Sequence, residues 1–340
     1  MVKWILENIY IYAIIYAFTS FIISLTITPI ISKFMFERGI YGIDVHKPSK
    51  PKIPECGGVA VLLSITISSI LALLMLEEYR LKIMVFITSV VYVGILGFID
   101  DLKPLNAKLK TLLTMISIIP VIVFRVYNPR PFLPFIGRTR LTIIYTLALP
   151  FAIGVTSNAA NMMDTYNGSL ISTSILIYIA LLASSIIGYS RGLLDGFGII
   201  ASAIMLGALI GYYRYNRYPS RVFNGDVGSL SIGASIGLTA ILANLEVIAI
   251  TAMMPYIMNG FYIISTIKGL KERREIKVRP VIVKNGLLYA NTDPKSPLTL
   301  AHLILVRGPL KEKELVDGIV VLQLTATILA IVMAIFTFTL

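Results

Sequence analysis

The chain has 340 residues, 56% apolar and only 14% charged, with a net charge of +12. Soluble proteins carry about 25% charged residues, so the composition excludes an ordinary soluble domain and places most of the chain in lipid. The basic excess falls in a few connecting loops, which argues against nucleic acid as a partner, and the lone Cys56 excludes an intramolecular disulfide.

Hydropathy predicts ten apolar spans of roughly bilayer-crossing length. The first, 9–32, is too long for a cleaved signal peptide, and no small-residue cleavage site follows it. A polar loop, 33–56, leads to spans 57–76 and 83–99. The third span runs out into Gly97-Phe98-Ile99-Asp100-Asp101, followed by Lys103, Lys108 and Lys110. An acid at membrane depth costs on the order of 3 kcal/mol, so it is a functional candidate by default. Paired carboxylates followed by lysines suit a site for phosphates and a divalent cation: the lysines bind phosphate oxygens, and the acids accept a metal or protons. Lys103 and Lys108 also fit the plainer reading of a solvated helix end.

Spans 109–127 and 141–157 lead to the segment 158–168, which lacks Lys and Arg and holds Asn158, Asn161, Asp164 and Asn167. Positions 158, 161 and 164 share one face of a helix. That face offers hard oxygen ligands of the kind Mg²⁺ takes, and Asn167-Gly168 also reads as a tight turn. Spans 168–188 and 194–213 precede Phe223-Asn224-Gly225-Asp226-Val227-Gly228-Ser229. Here Gly225 and Gly228 let backbone approach a ligand. Ser229 is expected to cap the helix 229–244, leaving its first amides free for an anion. After span 247–267, the loop 268–314 carries Lys271, Arg273, Arg274, Lys277 and Arg279. Runs 281–283 and 287–289 flank Asn285-Gly286 and predict a β-hairpin. A basic arm leading into a hairpin suits closure over a pyrophosphate, or a lipid-headgroup patch. His302 reads as a packed or interfacial residue rather than a catalyst, and His46 receives no role. Span 315–338 is the last.

Ten spans put both termini on one side. The loops 33–56, 100–110, 158–167, 214–228 and 268–314 carry 22 of the 30 Lys and Arg residues. That bias predicts a cytoplasmic location for these loops, with both termini outside. All four acids then lie on the cytoplasmic face. The expected architecture is an all-α polytopic membrane protein of about ten helices, one integral membrane domain over 1–340, with a small hairpin in the last cytoplasmic loop. A transporter is the rival class, because acids in broken helices also form ion sites. Against it, the acids gather at one face and the chain has no repeat of two halves.

These motifs, in this order and layout, resemble the polyprenyl-phosphate N-acetylhexosamine-1-phosphate transferases over nearly the whole chain. The resemblance implies transfer of a sugar-1-phosphate from a UDP-N-acetylhexosamine to a polyprenyl or dolichyl phosphate, with release of UMP. It also implies Mg²⁺ as cofactor, with Mn²⁺ as a substitute, membrane lipid around the protein, and a homodimer as one assembly open to it. The sequence is more similar to the archaeal and eukaryotic dolichyl-phosphate GlcNAc-1-phosphate transferases than to the bacterial peptidoglycan enzymes. Lys52-Ile53-Pro54-Glu55-Cys56-Gly57-Gly58, Asn167-Gly168 in place of Asp-Gly, and the approach to the last span carry that preference. A bacterial histidine cluster is missing, and Lys277-Val278-Arg279-Pro280 is the nearest match to a eukaryotic Arg-x-Arg. Thr165-Tyr166 departs from the family, where a Gly usually follows the Asp.

Residue by residue, the resemblance implies that Asp226 and Asn161 hold the metal and that Lys110 contacts the pyrophosphate. Asp100 and Asp101 would face the lipid phosphate, with Asp164 beside them as a catalytic residue. Asn167 and the backbone near Val45 would read the uracil, with Asp44, Lys47 and Asn158 among the substrate-binding residues. Glu55, Lys277 and Arg279 would line the sugar and phosphate side. Direct attack by the lipid phosphate is the expected mechanism, and a covalent aspartyl-phosphate on Asp100 or Asp101 is the alternative.

Overall fold

The computed structural model describes residues 2–134, 136–269, 271, 275, 276 and 278–339. Helix α1 (Val2–Glu37) is followed by a short ribbon of β1 (Tyr41–Ile43) and β2 (Lys52–Pro54), paired antiparallel with Gly42 opposite Ile53. Helices α2 (Gly58–Met75) and α3 (Arg80–Leu102) come next, then the shorter α4 (Ala107–Ile116) and α5 (Ile119–Val123). A second two-stranded ribbon, β3 (Phe132–Leu133) and β4 (Gly137–Arg138), precedes α6 (Thr142–Met163), α7 (Ser169–Ser190), α8 (Phe197–Asn216) and α9 (Gly225–Ala243). The chain continues through α10 (Glu246–Ala252), α11 (Met254–Ile267), the hairpin β5 (Val281–Lys284) and β6 (Leu287–Ala290), α12 (Leu300–Leu305) and α13 (Glu312–Thr339). The expected hairpin is present, and its two turn residues, Asn285 (φ 51°) and Gly286 (φ 75°), both take the positive φ that a type I′ turn demands.

Among the described residues, eight helices are long and apolar enough to cross a membrane: α1, α2, α3, α6, α7, α8, α9 and α13. A helix satisfies its own backbone hydrogen bonds, which is what lipid requires of a spanning segment. The protein is a polytopic helical membrane protein.

Two expected spans differ. The predicted span 109–127 is two short helices, α4, whose N-cap Asn106 accepts from the Lys108 amide, and the five-residue α5. Pro120 in the first turn of α5 has no N–H with which to continue the ladder of α4. The predicted span 247–267 is broken at Met253 into α10 and α11, bent by 66°, with Pro255 in the first turn of the second piece. The ribbons β1–β2 and β3–β4 were not expected: strands of three and two residues are too short to show a period.

Helix α9 sits at the centre, with every residue from Val227 to Ala243 buried. Two of its hydroxyls bond within the helix: Ser231 donates to the Val227 carbonyl (2.6 Å) and Ser235 to that of Ile232 (2.7 Å). Small residues let α2 and α3 meet its first turns at backbone distance. A Cβ on Gly97 would lie 2.4 Å from the Asp226 carbonyl oxygen, and one on Gly58 would lie 2.1 Å from the Gly228 Cα. Since Asp100 and Asp101 stand three and four residues beyond Gly97, the same face of α3 carries both toward Asp226.

Candidate active site

Asp101, at the end of α3, accepts the backbone N–H groups of Asp226 (2.6 Å) and Val227 (3.1 Å) with its two oxygens. It therefore caps α9 from a neighbouring helix. Gly225 (φ 69°) makes this possible, since a Cβ there would come within 2.5 Å of Asp101 Oδ2. The expected cap at Ser229 is corrected: α9 starts at Gly225, so Ser229 lies inside it and the first amides go to Asp101 rather than to an anion.

Asp100 is buried, accepts the Leu105 N–H, and pairs with Lys110 Nζ at 2.8 Å. The same ammonium reaches Asp226 Oδ2 at 2.8 Å, and Asn161 Nδ2 donates to Asp226 Oδ1 at 2.8 Å. Asp164, just past α6, accepts from Asn224 Nδ2 at 2.7 Å. Four elements (α3, α4, α6 and α9) thus bring the motif residues of three separate sequence segments together. Accessibility separates them: the side chain of Asp226 is 26% exposed, against 5% for Asp100 and 6% for Lys110. Of the Asp100–Lys110–Asp226 group, Asp226 is the acid that lines the cavity while still held by its neighbours.

That cavity has a volume of about 870 Å³. Its lining includes Asp101, Lys110, Asn158, Asn161, Asp164 and Asp226, and also Asp44, Val45, Glu55, Asn167 and Arg279. Asn158 donates to the Gly154 carbonyl (2.8 Å) and accepts from the Thr111 hydroxyl (3.4 Å), tying α6 to α4. Arg279 is exposed at the rim and also lines a neighbouring depression, which Lys47 shares. Lys277, Arg273 and Arg274 lie outside the described residues.

A second group of lining residues is organised around Asn167. Its Nδ2 donates to Glu312 Oε1 (2.7 Å) and Asp44 Oδ2 (3.3 Å), while its Oδ1 accepts from the Ser220 amide (2.7 Å) and Lys47 Nζ (3.2 Å). Two donors and two lone pairs are all that an amide side chain has. Asn167 is 5% exposed, with its hydrogen-bonding capacity engaged inside the protein. Lys47 also pairs with Asp44 at 2.6 Å, and His46 stacks on Tyr166 at 5.0 Å between ring centroids. Sequence reasoning missed Glu312, Asn224, Ser220 and His46. Glu312 stands in Lys311-Glu312-Lys313-Glu314, which reads as a solvated charge run, and nothing local marks it as buried.

The donor set at the Asp226 end fits a hard divalent cation, which takes carboxylate, amide and water oxygens. Asp226, Asp164 and Asn161 supply such groups, with Asn161 turned about its last bond to present Oδ1. Asn224 Oδ1 is buried and has no hydrogen-bond partner among the described residues.

The family described as glycosyl transferase family 4 matches residues 83–244. A protein of Methanocaldococcus jannaschii, provisionally named a glycosyltransferase, is 31% identical over 306 residues, which cover 88% of this chain and 90% of the relative. The chain belongs to glycosyl transferase family 4. Other relatives within reach of this family include a protein of Sulfolobus acidocaldarius provisionally named a UDP-N-acetylglucosamine–dolichyl-phosphate N-acetylglucosaminephosphotransferase. It is 26% identical over 332 residues, covering 94% of this chain and 97% of that one. A phospho-N-acetylmuramoyl-pentapeptide-transferase of Clostridium novyi is 30% identical over 293 residues, covering 81% of this chain and 87% of its own length. The family 4 assignment makes this chain a glycosyl-1-phosphate transferase embedded in a membrane. The matched residues 83–244 contain Asp100, Asp101, Lys110, Asn161, Asp164 and Asp226.

Proposed function

We propose that the protein transfers N-acetylglucosamine-1-phosphate from UDP-N-acetylglucosamine to a polyprenyl or dolichyl phosphate and releases UMP. The observation that carries this reading is the convergence of Lys110, Asn161 and Asp226, with Asp100 behind Lys110, in the wall of a cavity of about 870 Å³. A cavity of this size with a cluster of charge in its wall suits a nucleotide-sugar whose pyrophosphate must be neutralised. The relatives named for dolichyl-phosphate substrates support the lipid and the sugar. The Clostridium relative favours a second reading, a cell-wall precursor carrying another N-acetylhexosamine.

The chemistry is an in-line displacement. An oxygen of the lipid phosphate forms a bond to the sugar-linked phosphorus, and the bond from that phosphorus to the bridging oxygen breaks. UMP leaves with that oxygen. A phosphate monoester has a second pKa of about 6, so the nucleophile is mostly dianionic at neutral pH and needs little help from a base. Positioning and charge neutralisation are what remain for the protein. Asp226 and Asn161 would hold Mg²⁺, which when bound supplies positive charge to the pyrophosphate oxygens. Lys110 fixes Asp226 and Asp100 relative to each other and lines the cavity in which a phosphate oxygen would lie. Asp101 holds the Asp226 backbone. Both oxygens of Asp100 and of Asp101 are engaged by amides or by Lys110, which argues against either as a covalent nucleophile.

The sorting of Lys and Arg residues supports a cytoplasmic location for this face, where a UDP-sugar is available. Purified protein given UDP-N-acetylglucosamine and a short polyprenyl phosphate is expected to release UMP only when Mg²⁺ is present, and chelation is expected to stop the reaction reversibly. Release without the lipid phosphate, or undiminished after chelation, would overturn the scheme. A panel of UDP-sugars separates the two substrate readings.

A further inference from the structure

Glu312 belongs to no motif, yet it is 4% exposed at the first turn of the last helix. Its Oε1 accepts both the backbone N–H of Asn167 (2.9 Å) and the side-chain Nδ2 of the same residue (2.7 Å), and lies 3.5 Å from His46 Nδ1. Asn167 in turn binds the β1–β2 loop through Asp44 and Lys47, and the α8–α9 loop through Ser220. Those segments contribute to the lining of the same cavity. Asp44, His46 and Glu312 place three ligand-type atoms within 4.8 Å, but the Lys47 ammonium and the Asn167 amide already engage the carboxylates there.

We infer that Glu312 is a positioning residue: it fixes the Asn167 amide, and through it the 44–47 and 164–168 segments against which the nucleotide-sugar is held. The inference rests on the proposed transferase reading for what is bound, but not for the hydrogen bonds themselves. A buried carboxylate bonded to a backbone amide and a side-chain amide at once fixes both the place and the rotation of that side chain. Asn167 thereby acts as a keystone of the pocket wall.

The test has two parts. In the first, hydrogen exchange of a peptide covering 164–168 is compared in wild type, Glu312→Ala and Glu312→Gln. Glutamine can keep a carbonyl oxygen at the Oε1 position, its nitrogen taking the place of Oε2, which has no partner among the described residues. Protection is expected to be lost in the alanine variant and kept in the glutamine variant. Equal protection in all three would overturn the inference, whatever the protein catalyses.

The second part is kinetic. Glu312→Ala is expected to raise KM for the UDP-sugar about tenfold with kcat within about threefold, as for lost ground-state and transition-state binding alike. Glu314→Ala, two residues on at an exposed site, is expected to change neither. Asn167→Asp sets a carboxylate against Glu312 and is expected to raise KM at least as much. Adding Glu312→Gln is expected to restore part of the loss, because its amide can donate to the new carboxylate. Additive losses in the double variant would overturn the inference. Absence of UMP release by wild type would instead refute the transferase reading, leaving the exchange result to decide the role of Glu312.

Discussion

Asp226 lines the cavity, and its three restraints come from three other helices or their ends: Asp101 through the backbone, Lys110 and Asn161 through the side chain. Asp226→Ala is therefore expected to lower UMP release by at least about a hundredfold, the scale on which single charge-stabilising groups act, with the fold retained. Lys103, exposed two residues beyond Asp101, is expected to be replaceable by alanine with less than about a twofold effect. Parallel rate assays on the two variants check both; near-normal turnover in the first would undo the metal assignment. At this scale the sequence was informative because acids in an apolar chain demand a reason, so Asp100, Asp101, Asp164 and Asp226 stand out unaided. Asn167 was found as a candidate, and it lines the cavity. Glu312 was invisible, because its burial depends on a neighbour 145 residues away and its own surroundings are Lys and Glu.

The helices place these residues through close backbone contact. Gly97→Ala would set a methyl group 2.4 Å from the Asp226 carbonyl oxygen, which is backbone and cannot swing aside. The expected result is a separation of α3 from α9, a stability loss of about 1–3 kcal/mol, and a larger loss of activity because the cap from Asp101 to Asp226 is pulled apart. Thermal unfolding and UMP release on the same preparation check this; activity retained at lowered stability would show that the cap tolerates displacement. Helices of this kind are legible in sequence because hydropathy over about 20 residues is a strong signal. The broken elements are less so: Pro120 and Pro255 sit in apolar runs whose average hydropathy conceals the interruption. Asn285-Gly286, by contrast, announces its hairpin because both residues tolerate positive φ.

At the scale of the molecule, the layout inferred from Lys and Arg places Asp100, Asp101, Asp164 and Asp226 at one membrane face, and the structure brings them into one cluster. Sidedness is open to a direct check. Cys56 is buried, and burial followed by the adjacent Asp101 carboxylate pushes its thiol pKa up, so it is expected to resist alkylation. With that quiet background, Lys103→Cys is expected to react with a membrane-impermeant maleimide in inside-out vesicles and not in right-side-out ones. The reverse pattern would invert the topology. The central helix has one more consequence. In the most apolar stretch of α9, 94% of residues are buried inside the protein, against 22% for α1 and 33% for α13. Changes in bilayer thickness or a swap of detergent act first on those outer helices, and α9 meets them only through its protein neighbours. Its first turn, with Asp226, is in effect insulated from the lipid or detergent that surrounds the protein.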